Sequence, residues 1–143
     1  MFFTTQAMKM ITFSSIVALS VFTAAGHAEL SVAVSKAKSV GQRTLVKLEM
    51  RNGFDKAVES ARAAVFITDD QGKVVGQGAK WVISGTRMKA GLVRGGTNTY
   101  NFLVTLDGPV TKTNLTTKVS FNRVILEGGG LADPVKDVTI RYP

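Results

Sequence analysis

Four basic side chains, Lys80, Arg87, Lys89 and Arg94, lie within or just before one long glycine-bounded stretch, Ser84 to Gly96. Its centre, Arg87-Met88-Lys89-Ala90-Gly91-Leu92-Val93-Arg94, mixes charge with apolar residues, the usual makeup of a binding loop on a rigid scaffold. The chemistry on offer is attraction of an anion: a lipid headgroup, an acidic glycan, or the acidic patch of a partner protein. The surroundings support this. From Gln71 to Leu126 the bases Lys73, Lys80, Arg87, Lys89, Arg94, Lys112, Lys118 and Arg123 face Asp107 alone, whereas between Glu29 and Asp70 acids and bases nearly cancel.

Other chemistries lack their side chains. The chain has no cysteine, and its single histidine, His27, lies in the N-terminal segment. Zinc, copper and iron sites of the usual kinds therefore have no donors in the rest of the chain, and Ser-His-Asp or Cys-His catalysis has no base. Calcium needs clustered oxygens. Asp69 and Asp70, with Asp133 or Asp137, are the only candidates, and their spacing lacks the alternating acids of a calcium loop. A hydrolase built on two carboxylates needs them opposed across a cleft. Glu49, Glu59 and Glu127 are instead scattered over segments that read as solvent-facing strands. A Ser-Lys pair stays open as an alternative, although no glycine-flanked elbow holds any serine. The runs Gly128-Gly129-Gly130 and Gly91 to Gly96 lack the P-loop lysine and its strand-to-helix setting. No cofactor is expected, and no nucleic acid, because basic and aromatic residues do not interleave.

The N-terminus supplies the setting. Lys9 precedes an apolar run from Met10 to Ala25, and the segment closes on Gly26-His27-Ala28, with small residues where a signal peptidase accepts them. The run is shorter than the roughly 20 residues that span a bilayer. Residues 1–28 are thus expected to be a cleaved signal peptide, and 29–143 one mature domain, periplasmic or secreted, with no transmembrane segment. Of the 18 Lys and Arg only Lys9 precedes Ala28, and all 10 acids follow it, which leaves the mature part a formal +7.

Period-2 alternation dominates the elements that must hold the basic stretch. Leu30, Val32 and Val34 share one face, as do Val46, Leu48 and Met50, then Ala61, Ala63, Val65 and Ile67. Asp69-Asp70-Gln71-Gly72 is a tight turn, after which Lys73 to Gly78 returns toward Trp81-Val82-Ile83. Tyr100, Phe102, Val104 and Leu106 alternate until Asp107-Gly108-Pro109 breaks the run; Val119 to Leu126 and Val138 to Tyr142 complete the set. About seven short strands with turn signals between them predict an all-β fold, an immunoglobulin-like antiparallel β-sandwich. Its expected core is Val46, Leu48, Met50, Val65, Ile67, Trp81, Tyr100, Phe102, Val104 and Phe121. Phe54, in a polar turn, is left either exposed or tucked over the end of the core.

The stretches Val46 to Asn52, Val65 to Asp69, Gly72 to Val75 and Leu92 to Gly95 resemble the bacterial FxLYD-type domains and the wider group of immunoglobulin-like envelope modules that includes the CARDB adhesion-type domains. The resemblance covers Thr44 to Leu106. Val65 and Thr68 stand where that family has Phe and Tyr, and Asp69 is the one identical motif position. The resemblance implies a sandwich in the cell envelope and a binding or spacer role, with no catalytic residues. Together these readings predict a non-catalytic interaction or accessory module of the bacterial envelope, contacting an unknown protein or an anionic envelope component through Lys80, Arg87, Lys89 and Arg94. The alternatives are a small hydrolase using carboxylates or a Ser-Lys pair, and a calcium-dependent binding module.

Overall fold

The alternation in Arg43–Asn52 becomes burial in the folded chain: Thr44, Val46, Leu48, Met50 and Asn52 are inside, and Lys47, Glu49 and Arg51 are outside. The same rule holds along residues 61–68. The computed structural model describes residues 28–85, 91–108 and 114–143. The described residues form nine strands: β1 (Leu30–Val34), β2 (Lys38–Val40), β3 (Arg43–Asn52), β4 (Val58–Thr68), β5 (Val74–Ser84), β6 (Thr97–Thr105), β7 (Thr116–Leu126), β8 (Leu131–Ala132) and β9 (Val138–Arg141). None of the described segments is a helix long and apolar enough to cross a membrane.

Two sheets face each other. One runs β2-β3-β1-β9, with β6 on the other side of β3; the other runs β5-β4-β7-β8. This is the all-β sandwich that the alternation predicts. The count rises from seven to nine because β2 and β8 span only three and two residues, too few for a periodic pattern. One pairing departs from the antiparallel expectation: β9 runs parallel to β1, with Leu30 opposite Val138.

The core lies between the sheets. Leu30, Val32, Val46, Leu48, Met50, Phe102 and Val104 come from one side, and Ala61, Ala63, Val65, Ile67, Ile83, Phe121 and Val124 from the other. Burying each Val, Leu or Phe contributes about 1.5–3 kcal/mol, which stabilises a domain that has no disulfide. Eight of the ten expected core residues are buried, Tyr100 is half-buried, and Phe54 tucks under at 7% exposure.

Trp81 is the correction. It is 42% exposed, because β5 carries an extra residue against β4: Ala61 pairs with Ile83 and Arg62 with Trp81, so Val82 is bulged. Val82 and Ile83 both turn inward, and the alternation that would have buried Trp81 is reversed.

Three devices close the sandwich. At the β5–β6 side, Gly76 bridges to Leu106, and the Asp107 N–H donates to the Val75 carbonyl at 2.8 Å. On the opposite side the Tyr142 hydroxyl reaches from beyond β9 to the free edge of β7. It accepts from the Val119 N–H at 3.0 Å and donates to the Val119 carbonyl at 3.2 Å. At one end, buried Asn52 donates through Nδ2 to the carbonyls of Lys56 (2.8 Å) and Leu92 (3.0 Å), while its Oδ1 accepts from the Phe54 N–H at 2.8 Å. The Asp69 turn forms as its composition predicts, with Gly72 at φ +81° and the Asp69 carboxylate accepting from the Gln71 and Lys73 N–H groups.

Candidate functional site

The basic stretch is anchored at both ends. The Gly85 N–H donates to the Glu59 carbonyl, and Leu92 exchanges two backbone hydrogen bonds with Val58, each 2.8 Å. A Cβ on Gly91 would lie 2.3 Å from the Val58 carbonyl oxygen, so only glycine permits this approach. Leu92 is buried and Val93 is 55% exposed. Arg87 and Lys89 lie outside the described residues.

Lys80 and Arg94 stand at different heights on the sandwich. Lys80 points to the inner side of edge strand β5, where its Nζ donates to the Asn101 carbonyl at 2.8 Å and sits 5.0 Å from the centre of the Phe102 ring. Its apolar stem covers the core while its charge stays outside, which also blunts the sheet edge. Asn101 pairs with Lys47 on β3, whereas Arg94 belongs to the turn whose Gly95 N–H donates to the Asn52 carbonyl. Five residues of β3 separate these two points, about 17 Å.

A second basic constellation was not singled out in the sequence, because it exists only in the register of β5, β4 and β7. Trp81, Arg62 and Arg123 form one rung across these strands: Arg62 is the Cα partner of both Trp81 and Arg123. All three stand on the outer face, since the flanking Ala61, Ala63, Val82 and Val124 are buried. Both neighbours of β4 break register at this rung, β5 at Val82 and β7 at Asn122. Bulges of this kind re-aim side chains and are concentrated near functional sites. The only sequence signal was the pair of apolar neighbours Val82-Ile83, where strict alternation fails.

The next outward rung is Ala79, Ala64 and Ser120, all small, and the one beyond it is Gln77, Phe66 and Lys118. Rungs two residues apart are about 6.8 Å apart, and strands about 4.8 Å. The face therefore holds a shallow trough about 10 Å long, floored by Ala79, Ala64 and Ser120. Trp81, Arg62 and Arg123 wall one side, and Phe66 and Lys118 the other. Arg62, Arg123 and Lys118 have no ion pair or side-chain hydrogen bond among the described residues. The one acid in these four strands, Glu59, sits at the β4 bulge beside Ser60 and pairs with none of them.

The aspartates have other work. Asp69 holds its own turn. The Asp133 carboxylate accepts from the Val135 N–H at 2.8 Å and the Lys136 N–H at 3.0 Å, and Asp137 accepts from the Asp133 N–H at 2.8 Å. The Asp133 carboxyl is held below its ordinary pKa, first by the Lys136 N–H, then by the Val135 N–H, with a smaller contribution from the Lys136 charge. Asp69 follows the last residue of β4, while β8 and the Asp133 turn adjoin its first residues, so the two aspartate pairs lie at opposite ends of the sandwich. Among the described residues no three Asp, Glu, His or Cys gather as a metal site.

A groove of about 650 Å³ opens between the β1–β2 break and the start of β7, lined by Ser35, Lys36, Leu115, Thr117, Lys118 and Tyr142 among others. The Thr117 hydroxyl is buried there without a partner. Lys118 borders both this groove and the outer trough. No family model matches the chain, and no curated protein is significantly similar to it.

Proposed function

We propose that this chain is a non-catalytic interaction module of the bacterial cell envelope, exported by a signal peptide at residues 1–28, and that it binds an anionic partner by charge. One observation carries the reading: Arg62, Arg123 and Lys118 stand on a single sheet face with no acidic partner among the described residues. Arg62 is half-buried beside a second arginine, an arrangement that like-charge repulsion makes unfavourable in the free protein. An anion laid on the face would relieve it. The resemblance to immunoglobulin-like envelope modules supports the setting, and the anchored stretch carrying Arg87, Lys89 and Arg94 adds a second basic element. The scattered carboxylates support a binding role over hydrolysis: Glu49 is on one sheet, Glu59 on the other, and Glu127 in the turn after β7.

Retention of the full chain on anionic and neutral matrices across a salt gradient tests this. Exposed charges are screened beyond about 8 Å at physiological ionic strength, so binding should fall as salt rises. The triple variant Arg62→Ala/Lys118→Ala/Arg123→Ala should elute early, and Arg87→Ala/Lys89→Ala/Arg94→Ala measures the share of the anchored stretch. Equal retention of the parent and both triple variants at every salt concentration overturns the reading. Intact mass of exported protein tests the signal peptide: a mass that still includes residues 1–28 overturns its cleavage.

A further inference from the structure

We infer that the outer trough of the four-stranded sheet is a binding site for a strand of acidic polysaccharide, with Trp81 as the stacking platform and Arg62 and Arg123 as the acid clamp. This rests on the anion-binding reading above and names its ligand class.

The geometry has three parts. First, the bulge at Val82 turns the single tryptophan of the chain outward, where it is 42% exposed at the end of a rung of arginines. A large aromatic left half in water beside two cations forgoes the burial that drives folding, and its free ring can take the apolar C–H face of a pyranose. Second, Arg62 and Arg123 lie on directly opposed backbone positions, close enough for two planar guanidinium groups to share one carboxylate or sulfate with paired N–H···O bonds. Third, Ala79, Ala64 and Ser120 leave a low floor across three strands, so an extended chain can lie crosswise over β5, β4 and β7. Lys118 on the far wall reaches a second acidic group.

Each part favours a sugar polymer over the other anions. A bilayer would need one contiguous patch of apolar side chains to insert, whereas the exposed apolar residues of this face stand apart: Trp81 and Val74 lie near opposite ends of β5, and Leu131 lies on the far edge strand β8. Single-stranded nucleic acid is held by a series of aromatic platforms under successive bases, and here one indole stands alone.

The lone tryptophan makes the test direct. The full chain, purified as the cell delivers it, is titrated with polygalacturonate and with dextran sulfate, using uncharged dextran as control. The expected result is a saturable blue shift of tryptophan emission with either acidic polymer, suppressed by salt and absent with dextran. By calorimetry, Trp81→Ala should weaken binding about tenfold, in line with the loss of one aromatic stack, and Trp81→Phe should recover part of it. Arg62→Ala and Arg123→Ala should each cost about tenfold through a lost charge-assisted bond. Circular dichroism and melting temperature confirm that each variant folds. Salt-sensitive binding that Trp81→Ala leaves unchanged overturns the platform but keeps the anion-binding reading. Tighter binding to single-stranded DNA or to phosphatidylglycerol vesicles overturns the polysaccharide and likewise keeps that reading. Salt-sensitive binding to none of these overturns both.

Discussion

Arg62 and Arg123 are direct cross-strand partners on the outer face of the four-stranded sheet, and no carboxylate among the described residues pairs with either. Like charges in this position destabilise a sheet, whereas opposite charges stabilise it by about 0.2–1 kcal/mol. The rung therefore looks poor as a device for stability and suitable as one for holding an anion.

Replacing Arg123 with Glu should raise stability by about 0.5 kcal/mol, since an ion pair with Arg62 replaces a repulsion. The same change should abolish salt-sensitive retention on anionic matrices. Urea denaturation checks the first effect and the salt gradient the second. A variant that loses both stability and binding would mean that Arg123 supports the fold.

Asn52→Ala should destabilise by about 2 kcal/mol, because it strands the buried Phe54 N–H, takes the side-chain donor from the Lys56 carbonyl, and removes one of the two donors to the Leu92 carbonyl, which keeps the Val58 N–H. Leu92 anchors the basic stretch, so hydrogen exchange at the Leu92 and Val58 amides should accelerate more than exchange in the centre of β7. A uniform increase would show instead that this corner opens only with the whole domain.

Tyr142→Phe deletes the hydroxyl that joins the end of the chain to the edge of β7 and should cost about 1 kcal/mol. The Val119 amide should lose protection selectively. An unchanged exchange rate at Val119 would show that the Tyr142 hydroxyl does not hold this amide in solution.

Asp133 should titrate below the ordinary carboxylate value of 3.8 in the folded chain. Its protonated form would lose the bonds from the Lys136 and Val135 N–H groups. Because the folded value is depressed, the contribution is fully present above the unfolded pKa and is lost as pH falls through the folded one. At neutral pH it should be constant. Carbon-detected NMR of the Asp133 carboxyl follows the titration, and in Asp133→Ala the amides of Val135 and Lys136 should shift upfield at pH 7. A midpoint at or above the ordinary value would show that the turn does not hold in solution.

What the sequence determined by itself is the class of fold and most of its interior. Period-2 alternation in Arg43–Asn52 and Val58–Thr68 is a direct statement of which side is buried, because successive strand residues point to opposite faces. The Asp69 turn was equally legible, since its hydrogen bonds are local and its glycine carries the positive φ that the turn requires. What only the tertiary structure decided depends on pairing between distant strands. The Val82 bulge exists relative to β4 and so turns Trp81 outward against its own local pattern. Lys80 reads in sequence as a charge just before the basic loop and open to an anion, yet its ammonium is occupied by the Asn101 carbonyl and the Phe102 ring of the other sheet. Arg62 and Arg123 are 61 positions apart along the chain and meet only because β4 and β7 adopt one register of many. A one-residue slip would send either side chain to the opposite face, and no local feature of either segment forbids it. The common burial of Val65, Ile67, Phe121 and Val124 does, and that is a property of the whole core.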